Sequence, residues 1–288
     1  MQFDVLTTDI GFAEGPVFAQ DGRIVVTSID QGYVYQIVNG VKTVLGATGG
    51  GPNGAAEGSG GDIYVAQNGG WRPTAPGPGG ALVTRWPGIT GGLQAISPRG
   101  LVRSVSADPI YPNDLCFGPD GLIYLTDPSR QPSRDDGRLW RIDAETGDSE
   151  LLTSVGWYPN GIGFGIEDDA VYVARSGEGQ IVRFPLGNDG KLGTPETFIQ
   201  LDHGRPDGFA WDAHGHLVVC CITGTQPGDL QVYDSNGSLV EVINPGAATK
   251  YTNVAISTAG QLIITDADEG NVLTAQWPYP GLPLHPFR

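Results

Sequence analysis

Apolar residues along the chain fall in short runs broken by polar and glycine-rich steps, and the runs come in pairs. Six segments share one order: an acidic or amide residue, a short strand, a glycine-containing turn and a second apolar strand. They read EGPVFAQDGRIVVTSI from Glu14, NGAAEGSGGDIYVAQN from Asn53 and NDLCFGPDGLIYLTDP from Asn113. The other three read NGIGFGIEDDAVYVARS from Asn160, DGFAWDAHGHLVVCCI from Asp207 and NVAISTAGQLIITDAD from Asn253. Their leading residues are offset by 39, 60, 47, 47 and 46 positions. A period near 46 fits four strands per unit, as in a propeller blade.

The turns agree. Asp21-Gly22, Asp120-Gly121, His214-Gly215 and Ala259-Gly260 stand between apolar runs, where hairpins need residues with positive φ. The second strands (IVVTS, IYVAQ, LIYLT, AVYVA, LVVCC, LIITD) are rich in β-branched and aromatic residues. This predicts an all-β chain, a six-bladed β-propeller forming a single domain over 1–288. The N-terminal run FDVLT precedes the first repeat and NVLTAQW follows the last. The ring is expected to close by the N-terminal strand joining the C-terminal blade, which removes exposed sheet edges.

Composition narrows the alternatives. Gly is 45 and Pro 22 of 288 residues, about twice average usage, which disfavours helical bundles. With 39% hydrophobic residues, 6 Trp, 10 Tyr and 9 Phe, disorder is also disfavoured. The net charge of −16 opposes binding to nucleic acid. No apolar stretch is long enough for a membrane span, and MQFDVLTTDI has no signal-peptide pattern. Cys116, Cys220 and Cys221 form neither a metal-ligand spacing nor a paired framework, so a cytoplasmic location is expected.

Inner propeller strands line a central channel, so the leading residues predict a ring of Glu14, Asn53, Asn113, Asn160, Asp207 and Asn253. All six are carboxylates or amides, and burying them without partners costs a few kcal/mol each. A hard divalent cation resolves that cost, and oxygen ligands of these types suit Ca²⁺ best, with Zn, Mn, Mg or Fe as other candidates. The competing reading is that Asn53-Gly54, Asn160-Gly161 and Asp207-Gly208 are simple turn dipeptides.

Four segments resemble one family: AEGPVF at 13–18, YPNDLCFGPDGLIYLTDPS at 111–129, YPNGIGFG at 158–165 and RPDGFAWDAHGHL at 205–217. The chain is similar to gluconolactonase, SMP-30 (regucalcin) and luciferin-regenerating-enzyme-like propellers, and a tail GLPL at 281–284 resembles that family's ending. The resemblance implies one divalent ion held by Glu14, Asn160 and Asp207, with Asn113 approaching the metal or substrate and Asp114 as a pocket acid. It also implies a position near the mouth for Asp127. Sugar-lactone-hydrolysing members often carry an Arg two residues before the third-blade Asn, where this chain has Tyr111.

Alternation along a strand puts residue i−2 on the same side as residue i. A second ring nearer the mouth is therefore expected at Phe12, Gly51, Tyr111, Tyr158, Arg205 and Tyr251. This aromatic collar suits an apolar or aromatic ligand better than a polyol, and Arg205 could hold a carboxylate or phenolate. Loops 68–80 and 128–137 are expected over the entrance, the first offering Trp71 and Arg72 to the pocket.

Other chemistries find little support. There is no nucleophile elbow, zincin motif, P-loop or dinucleotide fingerprint. His214 and His216 flank a hairpin remote from the mouth, His203 lies upstream of Arg205, and Cys116 reads as core. The leading expectation is a metal-dependent lactonase-type hydrolase acting on a small-molecule substrate, as monomer or homodimer. The ion would polarise the ester carbonyl, and Asp207 or Asp114 would activate water. Alternatives are phosphotriester hydrolysis, a non-hydrolytic reaction on an aromatic substrate, and a non-catalytic Ca-binding propeller.

Overall fold

The computed structural model describes residues 1–73, 83–128 and 136–288. It is a six-bladed β-propeller, each blade a four-stranded antiparallel sheet. The innermost strands are Ala13–Phe18, Pro52–Glu57, Leu115–Phe117, Pro159–Phe164, Arg205–Trp211 and Tyr251–Ile256. The second strands are Ile24–Ser28, Ile63–Gln67, Ile123–Asp127, Ala170–Arg175, Leu217–Ile222 and Gln261–Asp266. Every residue of the first three of these second strands is buried. Neighbouring blades cover both faces of such a strand, so its sequence runs apolar without alternation. The outermost strands change character; Val102–Ser106 and Leu239–Ile243 are largely exposed.

The ring closes as expected. Asp4–Thr7 forms the outer strand of the sixth blade, pairing antiparallel with Asn271–Gln276 through Asp4↔Thr274 and Val5↔Leu273. An edge that would otherwise face solvent is thereby paired.

Three blade junctions use the same wedge. Tyr64 meets Phe117 edge-on at 5.4 Å, Tyr124 meets Phe164 at 5.0 Å, and Tyr172 meets Trp211 at 5.2 Å. Each tyrosine is on a second strand and its partner ends the inner strand of the next blade. Edge-to-face pairs of this kind add about 0.5–1.5 kcal/mol to area burial. Room for each tyrosine ring comes from the glycine that follows its own inner strand. A Cβ at Gly58, Gly118 or Gly165 would lie 2.6, 2.4 or 3.0 Å from the ring of Tyr64, Tyr124 or Tyr172.

Beyond the sixth blade the chain crosses the end of the propeller remote from the inner-strand starts. Asp212, fully buried, accepts hydrogen bonds from the indole of Trp277 at 2.9 Å and from Nδ1 of His216 at 2.9 Å. Gly281 bridges Asp212, and the Leu282 N–H donates to the Trp211 carbonyl at 3.0 Å. His285 and Arg288 then reach Asp168 on the fourth blade, each at 3.0 Å. Among the described residues no helix is long and apolar enough to cross a membrane.

The Asp212 brace sets an expected outcome. Trp277→Phe keeps the ring but removes a buried donor from a carboxylate, a loss of about 1–3 kcal/mol. Thermal denaturation followed by circular dichroism should show a melting temperature lowered by about 2–10 °C; an unchanged value would remove the brace from the account of stability.

Candidate active site

The side chains on the axis are placed by a recurrent irregularity in the inner strands. Register shifts lie between Glu14 and Val17, Pro52 and Ala55, Pro159 and Ile162, Pro206 and Phe209, and Tyr251 and Asn253. In the third blade the strand proper starts only at Leu115, although the Asn113 N–H donates to the Thr126 carbonyl at 2.8 Å. Bulges of this kind re-aim side chains. All six ring residues, Glu14, Asn53, Asn113, Asn160, Asp207 and Asn253, are buried.

The glycines after four of them are close-approach residues. A Cβ at Gly15 would lie 2.5 Å from the Asn53 carbonyl oxygen, and one at Gly161 2.5 Å from that of Asp207. A Cβ at Gly54 would lie 2.0 Å from Asp114 Oδ1, and one at Gly208 2.1 Å from the Asn253 amide. The dipeptides Asn53-Gly54, Asn160-Gly161 and Asp207-Gly208 therefore serve neighbouring inner strands crowded at the axis rather than hairpin turns. Asp114 and Asn253 occupy the space that Gly54 and Gly208 leave, and Asn253 Nδ2 donates to Asp114 Oδ2 at 3.4 Å.

Main-chain groups of the ring are latched from the preceding blade. Thr27 Oγ1 donates to the Asn53 carbonyl at 2.6 Å and Thr126 Oγ1 to that of Asn160 at 2.7 Å. Ser176 Oγ donates to the Pro206 carbonyl at 2.6 Å, Thr252 Oγ1 to that of Ala13 at 2.7 Å, and the Gly54 N–H to that of Asn113 at 2.7 Å.

The axis is electrostatically frustrated. Glu14 is pushed well above the carboxylate range by burial first, then by the charges of Asp207 and Asp114, against weaker help from the Gly15 N–H and Asn253. Burial raises Asp114 to about 6, opposed by the Leu115 N–H, Asn253 and the Ile162 N–H. Among the described residues no Lys, Arg or His forms an ion pair with Glu14 or Asp114, and Asn53 Oδ1 is buried with no hydrogen-bond partner. Asn160 donates its Nδ2 to Ser176 Oγ at 3.2 Å and Asn113 its Nδ2 to the Tyr158 hydroxyl at 3.3 Å, so neither bond engages the amide oxygens, the atoms that could ligate a cation. Among the described residues no three His, Cys, Asp or Glu side chains converge as a metal site. The donor set here is instead two carboxylates, Glu14 and Asp207, completed by amide oxygens. That chemistry fits a hard cation such as Ca²⁺ and leaves a softer one poorly served.

The mouth is partly as expected. The Tyr158 hydroxyl reaches the ring through Asn113. Tyr111 is buried and meets Trp71 edge-on at 6.3 Å, 73° between planes. Phe12 is half-buried, its N–H donating to Asp30 at 2.7 Å, and Arg205 is exposed. Tyr251 stands apart. It is 1% exposed and packs with Val218, Cys220 and Leu230 in the core between blades five and six. The register shift in blade six falls between Tyr251 and Asn253, so the two-residue parity that would have aimed this ring at the mouth is broken. Of the two entrance loops, residues 74–80 and 129–135 lie outside the described residues, as does the Arg72 side chain.

Several polar groups acquire roles that spacing alone did not reveal. Asp127 is fully buried and accepts from the N–H groups of Ile110 and Tyr111 (3.1 and 2.6 Å), from Arg138 Nε (2.9 Å) and from Trp140 Nε1 (3.0 Å). It thus fixes the segment that carries Tyr111. Remote from the mouth, His216 stacks on Tyr279 and is bound to Asp212, while the His214 ring meets the same tyrosine tilted. Cys116 packs in the core between blades three and four, and burial raises its thiol pKa well above the ordinary value.

The family model described as SMP-30/Gluconolactonase/LRE-like region matches residues 12–268. The chain belongs to this family. A gluconolactonase of Zymomonas mobilis is 23% identical over 93% of this chain and 80% of that protein. Among solved structures, a gluconolactonase of Xanthomonas campestris superposes with TM-score 0.76 at 22% identity, covering 97% of this chain and 89% of the other. Regucalcin of Agrobacterium tumefaciens, titled a calcium-binding protein, gives 0.79 at 19% identity over 99% and 96%. These structural likenesses establish the fold. Within the SMP-30/gluconolactonase frame, Tyr111 lines the mouth on a segment that Asp127 tethers.

The blade-five rim carries a titratable contact. His203 Nε2 lies 2.5 Å from Asp229 and Nδ1 3.3 Å from Asp202, and the Asp229 bond is the main cause of a raised His203 pKa. A raised folded pKa gives stabilisation that is complete below the ordinary histidine value near 6.5 and is lost as pH rises through the folded value. The gap in melting temperature between wild type and His203→Gln should therefore be widest below about pH 6.5 and narrow above it. A gap that widens as pH rises would contradict the assignment.

Proposed function

We propose that this chain is a divalent-metal-dependent lactonase, opening a cyclic ester on the propeller axis, with a substrate more apolar or aromatic than a sugar lactone. The observation that carries the reading is the buried axial set of Glu14, Asp207, Asn160 and Asn113, acidic and, among the described residues, without an ion pair at Glu14. Family membership and the similarity to gluconolactonases support the choice of reaction. Those four residues would hold the cation. When bound, it supplies Lewis acidity to the ester carbonyl and charge stabilisation for the developing oxyanion.

The chain's own part is orientation and proton movement. Asp207 or Asp114 would take a proton from the attacking water as its oxygen bonds to the acyl carbon. The ring C–O bond then breaks, and the same proton passes to the departing alkoxide, leaving a hydroxy acid. Asn253 and the Leu115 N–H hold Asp114 on the axis, at 3.4 and 2.9 Å. Tyr111, Trp71 and Tyr158 offer aromatic surface above it, and Phe12 and the exposed Arg205 cation stand at the rim. Aromatic walls contribute to binding through apolar area and edge contacts, which a polyol would use poorly.

Chelation, with metal loss verified by elemental analysis, should abolish hydrolysis of aromatic and aliphatic lactones, and added Ca²⁺ should restore it. Asp207→Asn should lower kcat by about a thousandfold together with cation affinity measured by calorimetry. Asp114→Asn should spare cation affinity while reducing kcat if Asp114 carries the proton. Full turnover in verified metal-free protein would overturn the metal dependence. Thermal stabilisation by Ca²⁺ with no turnover across the lactones would favour a binding propeller instead.

A further inference from the structure

The second-blade side of the mouth contains a donor and an acceptor that the proposed chemistry does not use. The collar position of this blade is Gly51, which has no side chain. The space is filled from elsewhere: a Cβ at Gly51 would lie 2.4 Å from Asn68 Oδ1. The amide of Asn68 thus takes the place of a collar side chain, its oxygen nearest to Gly51, which lies two residues before the ring residue Asn53. Asn68 is 1% exposed and its Oδ1 has no hydrogen-bond partner among the described residues. Three residues on, the indole Nε1 of Trp71 is also buried and also without a partner among the described residues. The two belong to one tight turn, locked by Asn68 Nδ2 donating to the Trp71 carbonyl at 2.8 Å and passing through Gly69 and Gly70 at φ +76° and +78°. Trp71 in turn borders Tyr111.

A buried donor and a buried acceptor left unmade cost about 1–3 kcal/mol each. Keeping both on one rigid turn, beside an aromatic wall, suits an occupant that satisfies both at once. A hydroxyl does so: its lone pair accepts from the indole N–H and its proton goes to the amide oxygen. An anion would repel Asn68 Oδ1, and an ammonium would find no acceptor in the indole. The geometry points to Asn68 and Trp71 as a specificity subsite for a hydroxyl carried on the aromatic or apolar part of the substrate. This assignment rests on the lactonase reading for its substrate, but the hydroxyl recognition itself is a binding property. A buried water has the same complementarity, and a ligand hydroxyl would displace it at little cost.

The test compares 3,4-dihydrocoumarin with its monohydroxylated isomers as substrates, in excess Ca²⁺, and in parallel the corresponding dihydroquinolinone lactams as ligands by calorimetry. The wild type should prefer at least one hydroxylated isomer by about tenfold, in KM for the lactone and in Kd for the lactam. Trp71→Phe keeps an aromatic ring but lacks the N–H, and should bring that ratio close to one, whatever it does to the unsubstituted compound. A melting curve verifies that the variant is folded. Hydroxyl-selective lactam binding with no lactone turned over would sink the hydrolase reading and leave the subsite standing. Equal binding of all lactams, no binding of any, or a preference that survives in a folded Trp71→Phe protein would overturn the subsite.

Discussion

Six inner strands converge on one axis, and the residues at their convergence are polar. That constraint organises the molecule. Backbones approach so closely that four positions following ring residues tolerate only glycine, while the ring carboxylates and amides are largely buried. The price of such burial is set against everything the blades contribute: aromatic wedges at the junctions, fully buried second strands and a paired edge at the closure. A polar axis of this kind is costly to a fold unless something binds there.

Much of this was legible in the sequence, for a physical reason. A second strand enclosed by its neighbours needs apolar residues on both faces, so IVVTS, IYVAQ and LIYLT stand out as uninterrupted runs. The leading acid or amide of each repeat was equally visible because it recurs in register. What spacing could not supply was the shape of the backbone between them. Tyr251 was expected at the mouth on strict alternation, and one register shift buries it. Gly54, Gly161 and Gly208 were open to a turn reading, because a close approach between strands tens of residues apart leaves no local trace.

Long-range pairing was the other blind spot. Asp127 could be placed near the mouth by resemblance, yet its work is to grip two N–H groups 16 and 17 positions away and two side chains on the next strand. Asp212 and Trp277 are 65 positions apart and meet only when the tail folds under the fifth blade. Asn68 was unremarked because its role arises from a missing side chain at Gly51.

The hydroxyl latches carry a consequence for how such a scaffold diversifies. Thr27, Thr126, Ser176 and Thr252 each hold a carbonyl of the neighbouring inner strand, and Ser176 also takes the Asn160 amide. Loosening or shifting one would move a donor group on the axis by a fraction of an ångström while leaving every axial side chain unchanged. Selection can therefore adjust cavity size and ligand field from one layer out, blade by blade, without touching the residues that define the chemistry.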